Sequence, residues 1–278
     1  MVGSLLAAAG VPSVCISGDA YERVSFASGA SPKVEINGLL FTPDQGTSTR
    51  AVVGIHGCNG LFEEGPPVEH YVSWARELKS SGFTVLLIDS LGSRGIPSLC
   101  GSRAKPSITF DDMIGDVYGA LSYLVRGGGS TKSVTLLGWS MGGDVTLRAI
   151  AQDNARKFAE SHGAFKGAIA FYPGTCARIA VDPVWRPAAP LLLQLGADDD
   201  YTPPAPCAEM AWKGRERGAV IDMDLYKGAY HLFDHPDMPA HPFLRIVRKD
   251  GSSPMIGTNV EARAQAIARV RKFLESNL

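Results

Sequence analysis

The chain has 278 residues, of which 45% are hydrophobic and 20% are charged, so it is long enough to bury a large core. Its 27 basic and 28 acidic side chains leave a formal net charge of -1, which gives no electrostatic reason to expect nucleic acid or an anionic membrane surface as a partner. No apolar run approaches the length of about 20 residues that a membrane-spanning helix needs. These properties predict a globular protein that acts on small, neutral or weakly charged molecules.

The N-terminal residues differ in composition from the rest of the chain. Residues 5–16 are mostly small and apolar, like the core of an export signal, but the first basic residue is Arg23. A signal peptide carries positive charge ahead of its apolar core. We therefore interpret residues 1–20 as a leader, either a weak or trimmed export signal or a disordered extension, and residues 21–278 as a single domain.

Short apolar runs alternate along the chain with longer segments of helical period. Residues 21–43 predict two strands around Asn37-Gly38, because Asn-Gly is a favoured hairpin turn. Aliphatic and β-branched runs predict buried parallel strands at 51–55, 83–88, 133–137, 167–171 and 191–195. Apolar residues at steps of three and four predict helices at 68–81, 111–125, 141–154 and 260–274. The alternation predicts an α/β fold with a mostly parallel, doubly wound sheet and an N-terminal antiparallel hairpin.

One long segment lacks both patterns. Residues 236–257 are rich in Pro, Gly, Ser and His. Irregular segments of this length are uncommon inside a domain and are often functional. We expect this loop to border a binding site.

The strongest functional signal is the sequence Gly138-Trp139-Ser140-Met141-Gly142. It follows a predicted strand and precedes a predicted helix, which is the context of a nucleophile elbow. The glycines leave room for the sharp turn, and the first N–H groups of the following helix can face a developing oxyanion. Ser140 is therefore the predicted nucleophile, and a plain glycine-rich turn is the alternative interpretation.

A serine nucleophile needs a histidine that accepts its proton, and in this fold the histidine comes last, after the acid. His231 directly follows an alternating strand, from which a loop can return its imidazole to the serine. His235 and His241 lie deeper in the polar loop. His231 is the predicted base, and the other two remain alternatives.

The acid of the predicted triad lies in a run of three aspartates, Asp198 to Asp200, which follows the predicted strand at 191–195. Three adjacent carboxylates cannot all be buried as anions, because each raises the pKa of the others. The spacing from Gly196 and to Pro203 favours Asp199.

Six segments, in chain order, resemble the dienelactone hydrolase family of the α/β-hydrolases. They span about 180 residues, from His56 to Asp234, and six matches in order are far more specific than any one. They are HGCNG at 56–60, Asp89-Ser90 with Arg94-Gly95, the elbow at 138–142, Tyr172-Pro173, the segment 196–204, and HLFD at 231–234.

The resemblance implies a triad of Ser140, Asp199 and His231. It also implies an oxyanion hole formed by the backbone N–H groups of Cys58 and Met141. Cys58 needs only its amide for this role, so its thiol is available for another purpose.

One residue departs from the family pattern. The enzymes that gave the family its name carry a cysteine in the elbow, where this chain has Ser140. A serine favours general ester cleavage through an acyl-enzyme over hydrolysis of dienelactone.

Three further residues are candidates for substrate binding. Arg94 resembles the arginine that holds a substrate carboxylate in the namesake enzymes, and pairing with Asp89 or capping of a loop is the alternative. Trp139 and Tyr201 flank the predicted triad, so we expect them to line the acyl pocket, with packing as the alternative.

Four of the five cysteines follow predicted strands at the face where the site should lie. Cys58 and Cys100 follow two neighbouring strands, as do Cys176 and Cys207, and two disulfides would leave Cys15 unpaired. Exported proteins that resemble this chain carry similarly placed cysteines, which favours a periplasmic or secreted location over the cytoplasm. Buried free thiols are the alternative.

The sequence thus predicts a carboxylic ester or lactone hydrolase acting on a small molecule. The cysteine spacing shows no zinc-type cluster, so we predict no metal and no cofactor. One alternative is a serine peptidase of the same fold, which usually carries an additional propeller or lid domain. The other is a catalytically inactive binding module, which usually lacks a triad residue.

Overall fold

A sheet of eight strands forms the centre of the computed structural model, which describes residues 21–46, 48–63, 65–101, 107–126 and 131–277. The predicted leader at residues 1–20 lies outside the described residues, and so does Cys15. Among the described helices, none is long and apolar enough to cross a membrane.

The strands confirm the predicted α/β architecture. The strand order is β1-β2-β4-β3-β5-β6-β7-β8. The pairings of β1 with β2 and of β2 with β4 are antiparallel, and all the other pairings in this sheet are parallel. The strands are β1 (Glu22–Ala27), β2 (Glu35–Phe41), β3 (Arg50–Ile55), β4 (Thr84–Asp89), β5 (Ser133–Trp139), β6 (Gly167–Phe171), β7 (Leu191–Gly196) and β8 (Ile221–Tyr226). A parallel sheet of this kind places the carboxyl ends of its strands, and the loops that follow them, at one edge.

Helices cover both faces of the sheet. They are α1 (Glu69–Ser80), α2 (Phe110–Arg126), α3 (Met141–Ala149), α4 (Gln152–His162), α5 (Cys176–Ala180), α6 (Ala205–Glu216) and α7 (Val260–Asn277). The alternation along β4 separates the two cores, since Val85 and Leu87 pack with residues of α1 and α7, whereas Leu86 and Ile88 pack with residues of α2 and α3. Both faces of the central strands are therefore buried, as their continuous apolar sequences require.

The N-terminal hairpin forms, but the predicted position of its turn is wrong. Asn37 and Gly38 lie inside β2, where they pair with Ser25 and Val24 of β1. The reversal occurs earlier, and the N–H of Ser28 donates to the carbonyl of Val34 across it. Gly38 serves close packing instead, because a Cβ there would lie 2.9 Å from the carbonyl oxygen of Leu87 in β4.

The predicted helix at 141–154 is in fact two helices, because α3 ends at Ala149 and α4 begins at Gln152. At the break, the N–H of Gln152 donates to the carbonyl of Arg186, and the carbonyl of Ile150 accepts from Ala188. These bonds to a distant segment replace helical ones, and periodicity within 141–154 cannot reveal them.

The segment 236–257 is irregular apart from two strands of two residues each, β9 (His241–Pro242) and β10 (Met255–Ile256), which pair with each other. Its end is attached to the edge of the sheet where the site lies, since the N–H of Gly257 donates to the carbonyl of His231 at 2.9 Å. The loop therefore lies beside His231.

Candidate active site

Ser140 occupies the sharp turn between β5 and α3. Its φ of 53° lies in the left-handed region, which is strained for a residue with a side chain. The turn also brings two backbone segments together, and a Cβ on Gly138 would lie 2.1 Å from the carbonyl oxygen of Gly142. The glycine at 138 is therefore required by the close approach of strand and helix, and this geometry is that of a nucleophile elbow.

The structure brings Ser140, His231 and Asp199 together from three separate loops. His231 Nε2 lies 3.0 Å from Ser140 Oγ, and His231 Nδ1 lies 2.8 Å from Asp199 Oδ2. The side chains of His231 and Asp199 are only 3% and 1% exposed. This chain of contacts is the geometry in which a buried carboxylate orients an imidazole that can accept a proton from a serine.

Of the three consecutive aspartates, only Asp199 is buried and contacts the histidine. Its second oxygen, Oδ1, accepts hydrogen bonds from the backbone N–H groups of Tyr201 and Thr202 at 2.9 and 2.8 Å. Asp198 is exposed, and Asp200 accepts from Arg248 at 2.9 Å, which ties it to the loop 236–257. Both oxygens of Asp199 are therefore held in place.

Thr202 is a residue at the site to which the sequence assigned no role. Its Oγ1 lies 2.9 Å from Asp199 Oδ2 and 3.0 Å from His231 Nδ1, and it donates to the carbonyl of Tyr172 at 3.0 Å. The hydroxyl thus contacts the acid, the histidine and the loop after β6 at once. Only its position three residues after Asp199 could have pointed to it.

The two alternative histidines lie on the same loop but do not contact the serine. His241 is exposed, and its Nδ1 bonds to the carbonyl of Pro239. The ring of His235 lies 5.4 Å from that of His70, and burial lowers the pKa of His235 to about 4. His235 is therefore neutral at neutral pH.

The proposed oxyanion donors come from two different segments of the chain. Met141 is the first residue of α3, and the first N–H groups of a helix have no acceptor within the helix. Cys58 lines the pocket in the turn after β3, and its carbonyl accepts from the N–H of Leu99 at 2.7 Å. Met141 thus directly follows the serine in the chain, and Cys58 lines the same pocket as the serine.

A second buried carboxylate, Asp234, lies three residues after His231. Its Oδ2 accepts from Trp74 Nε1 at 2.7 Å, Trp139 Nε1 at 3.0 Å and His70 Nε2 at 2.9 Å. Its Oδ1 accepts from the hydroxyl of Tyr172 at 2.7 Å. Asp234 lies in the segment 231–234 that resembles the family, but the neighbouring sequence gives no sign of its role, since its four partners come from distant parts of the chain.

The environment of Asp234 keeps it ionised. Burial alone would raise the pKa of Asp234, but the charge and hydrogen bond of His70, with the hydrogen bonds of Tyr172 and Trp74, hold it below its usual value. The ring of Tyr172 also lies 4.3 Å from that of His231. Asp234 therefore fixes aromatic side chains that adjoin both the nucleophile and the histidine.

A pocket of about 430 Å³ opens at the triad, lined by Ser140, His231 and mainly apolar side chains. Tyr201 lies in its wall, with its ring 4.8 Å from His231, while Trp139 contributes to the wall but is 1% exposed and donates to Asp234. The loop 236–257 forms another wall. In the parts of the chain that the structure describes, no cluster of three or more His, Cys, Asp or Glu side chains could hold a metal ion.

Arg94 is held away from this pocket. Its guanidinium forms an ion pair with the buried carboxylate of Asp116, at 2.7 and 2.9 Å, and donates to the carbonyl of Ser90 at 2.8 Å. Arg94 does not line the pocket at the triad. The partner of Arg94 is thus Asp116 and not Asp89, and Arg94 does not lie at the pocket beside Ser140.

The described residues contain two disulfides, and one of them lines the pocket. Cys58 is bonded to Cys100, which joins the turn after β3 to the loop after β4. Cys176 is bonded to Cys207, which joins α5 to α6. The predicted disulfides are therefore present, and one of them includes a proposed oxyanion residue.

Comparison with solved structures places the fold among known hydrolases. A dienelactone hydrolase-like promiscuous phosphotriesterase from metagenomic libraries has 18% identity and a TM-score of 0.65, over 92% of this chain and 98% of that one. A dienelactone hydrolase from Anabaena variabilis has 17% identity and a TM-score of 0.62, over 93% and 99%. Esterase 2 of Thermogutta terrifontis, in the form phosphorylated by paraoxon, has 15% identity and a TM-score of 0.60, over 91% and 93%.

The family is shown by the sequence rather than by these distant structures. No curated protein matches the chain. The model of the dienelactone hydrolase family matches residues 36–278, which include the three residues of the predicted triad. The chain therefore belongs to the dienelactone hydrolase family.

Proposed function

We propose that the protein is a serine-dependent hydrolase of carboxylic esters or lactones, which acts through an acyl-enzyme. The observation that carries the proposal is the contact chain from Ser140 Oγ to His231 Nε2 and from His231 Nδ1 to Asp199, in the wall of a mainly apolar pocket. The names of the structural neighbours, a phosphotriesterase and an esterase phosphorylated by paraoxon, support a nucleophile of this reactivity.

In the proposed mechanism, His231 Nε2 takes the proton of Ser140 as Oγ attacks the ester carbonyl. Asp199 keeps the other ring nitrogen protonated and stabilises the imidazolium that forms. The imidazolium then gives its proton to the departing alcohol, and Ser140 is left acylated. Water, activated by the same imidazole, attacks the acyl-enzyme and releases the acid.

Negative charge develops on the carbonyl oxygen in both steps. The N–H groups of Met141 and Cys58 are suited to bind it, and the loss of one such donor costs about a hundredfold to a thousandfold in rate in serine hydrolases. The positive end of α3 adds to this stabilisation.

Removal of the nucleophile tests the proposal. Ser140→Ala should lower the rate on 4-nitrophenyl butanoate by about ten-thousandfold or more, since serine-triad catalysis is lost with its nucleophile. Wild-type enzyme treated with paraoxon should gain one phosphoryl group on the peptide that contains Ser140, as seen by mass spectrometry. Ser276→Ala, on the exposed end of α7, is the matched control and should behave like the wild type.

Retention of the wild-type rate by a folded Ser140→Ala variant would overturn the assignment. Cleavage of short peptides without cleavage of esters would favour the peptidase alternative. An unlabelled wild-type protein that cleaves neither substrate would favour a binding module.

A further inference from the structure

An acidic and a basic side chain in the described lining of the pocket form an ion pair. Among the described residues that line the pocket, Glu63 has the carboxylate and Arg245 has the guanidinium group. Arg245 Nη2 lies 3.1 Å from Glu63 Oε1. Glu63 belongs to the loop after β3, and Arg245 belongs to the loop 236–257. Their ion pair therefore crosses from one wall of the pocket to the other at its solvent-exposed rim.

The other basic groups near the pocket already have partners or are neutral. His70 Nε2 bonds to Asp234, and the low pKa of His235, about 4 because of burial, leaves that ring uncharged. Arg94, which the sequence suggested for carboxylate binding, is paired with Asp116. His241 and His231 also line the pocket, and their ring nitrogens contact the carbonyl of Pro239 and the triad residues. A carboxylate on a substrate would thus find no lysine or arginine without an acidic partner among the described lining residues.

The walls of the pocket inside this rim are mainly apolar. They include Val68, Leu232, Met238, Phe243 and Ile256. A carboxylate that entered them would lose its hydration without gaining a charged partner, which is strongly unfavourable. An uncharged group of the same shape would not meet this cost.

We propose that the pocket selects uncharged esters, and that Glu63 is a specificity-determining residue because it neutralises Arg245 at the rim. The inference rests on the proposed ester hydrolysis and adds a substrate class to it. An anionic ester would be a poorer substrate as long as Arg245 is paired with Glu63.

The experiment compares two substrates that differ only in charge. These are the 4-nitrophenyl monoester of adipic acid and the 4-nitrophenyl ester of its monoamide, which share chain length and leaving group. We expect the wild-type enzyme to show a kcat/KM for the amide at least about tenfold above that for the carboxylate, after correction for uncatalysed hydrolysis, as the cost of an unpaired charge implies.

Substitution of the pair gives the sharper test. Glu63→Gln should raise the carboxylate-to-amide ratio of kcat/KM by about threefold, the scale of an exposed charge interaction, and this gain should shrink in high salt. Arg245→Gln should change the ratio in the opposite direction. Asp153→Asn removes an exposed carboxylate that pairs with Arg156 on α4, so it reproduces the change in net charge and should leave the ratio unaltered.

Equal wild-type kcat/KM values for the two esters, or a ratio unchanged in Glu63→Gln, would overturn this inference while the ester hydrolase assignment stood. An equal gain in Asp153→Asn would also overturn it, because the effect would then follow net charge and not the rim. Failure of the proposed function itself appears differently, as a wild-type enzyme inactive on every ester.

Discussion

Asp144, in the first turn of α3, is a buried carboxyl group one turn beyond the nucleophile. It is 8% exposed, and its Oδ1 accepts from the N–H of Thr175 at 2.8 Å. Burial raises the pKa of Asp144 to about 6, although its hydrogen bonds to residues 174 and 175 oppose the rise. A carboxyl group whose pKa is higher in the folded than in the unfolded state favours folding when protonated. This contribution is complete below about pH 4 and is lost as the pH rises through about 6.

Replacement of Asp144 by Asn removes this titration. A shift from 3.8 to about 6 corresponds to about 3 kcal/mol, so between pH 4 and pH 8 the wild type should lose up to that much unfolding free energy relative to Asp144→Asn. Urea denaturation of both proteins at the two pH values measures the difference. Asp153→Asn, at an exposed position, should show no such change, and an equal pH dependence of wild type and Asp144→Asn would contradict the expectation.

At the scale of elements, the carboxylate of Asp234 joins parts of the fold that are far apart in sequence. Its donors come from α1, from the end of β5 and from the loop after β6, while Asp234 itself follows β8. Trp139 precedes the nucleophile directly, and Tyr172 contacts the ring of His231. One buried charge thus fixes the relative positions of the ends of β5 and β8, which carry the proposed nucleophile and base.

Asp234→Asn keeps the shape of the side chain and removes its charge. We expect a loss of about 3 kcal/mol in unfolding free energy, because three N–H donors and one hydroxyl would lose an ionised acceptor. Tyr172→Phe is the milder variant, with an expected loss of about 1 kcal/mol and a lower kcat at little change in KM. Thermal unfolding and ester kinetics measure both. Asp222→Asn, at the exposed start of β8, is the control, and wild-type stability of Asp234→Asn would contradict the assignment.

At the scale of the whole molecule, each disulfide joins two segments that are distant in sequence. Cys58–Cys100 spans 42 residues and Cys176–Cys207 spans 31. Closure of loops of this length in the unfolded chain corresponds to about 4 kcal/mol for each bond on the chain-entropy model. Only the first includes a residue whose amide is proposed to bind the oxyanion.

The two bonds should therefore differ in their effect on catalysis. Replacement of either cysteine pair by serine should lower the unfolding free energy by about 2 to 4 kcal/mol. The Cys58→Ser/Cys100→Ser protein should in addition lose kcat, while Cys176→Ser/Cys207→Ser should keep most of it at temperatures where both are folded. Equal kcat values for the two folded variants would show that the Cys58–Cys100 bond is not needed to position the Cys58 amide.

The sequence by itself determined the features that are written in short, contiguous segments. The five buried strands have continuous apolar sequences, and the glycine-flanked serine follows one of them, so both could be recognised locally. Chain order then limited the partners of Ser140 to a few residues. Local patterns were less reliable at boundaries, where Asn37-Gly38 lies inside a strand and the segment 141–154 is broken by bonds to residues 186 and 188.

Only the tertiary structure decided which polar groups meet. The distance from Ser140 to His231 joins residues 91 apart in sequence, and the one from His231 to Asp199 joins residues 32 apart. The partner of Arg94 proved to be Asp116, and Asp234 acquired its four donors, through the same kind of long-range packing. Hydrophobic pattern specifies the elements, but hydrogen bonds between side chains depend on atomic positions that exist only after the elements have packed.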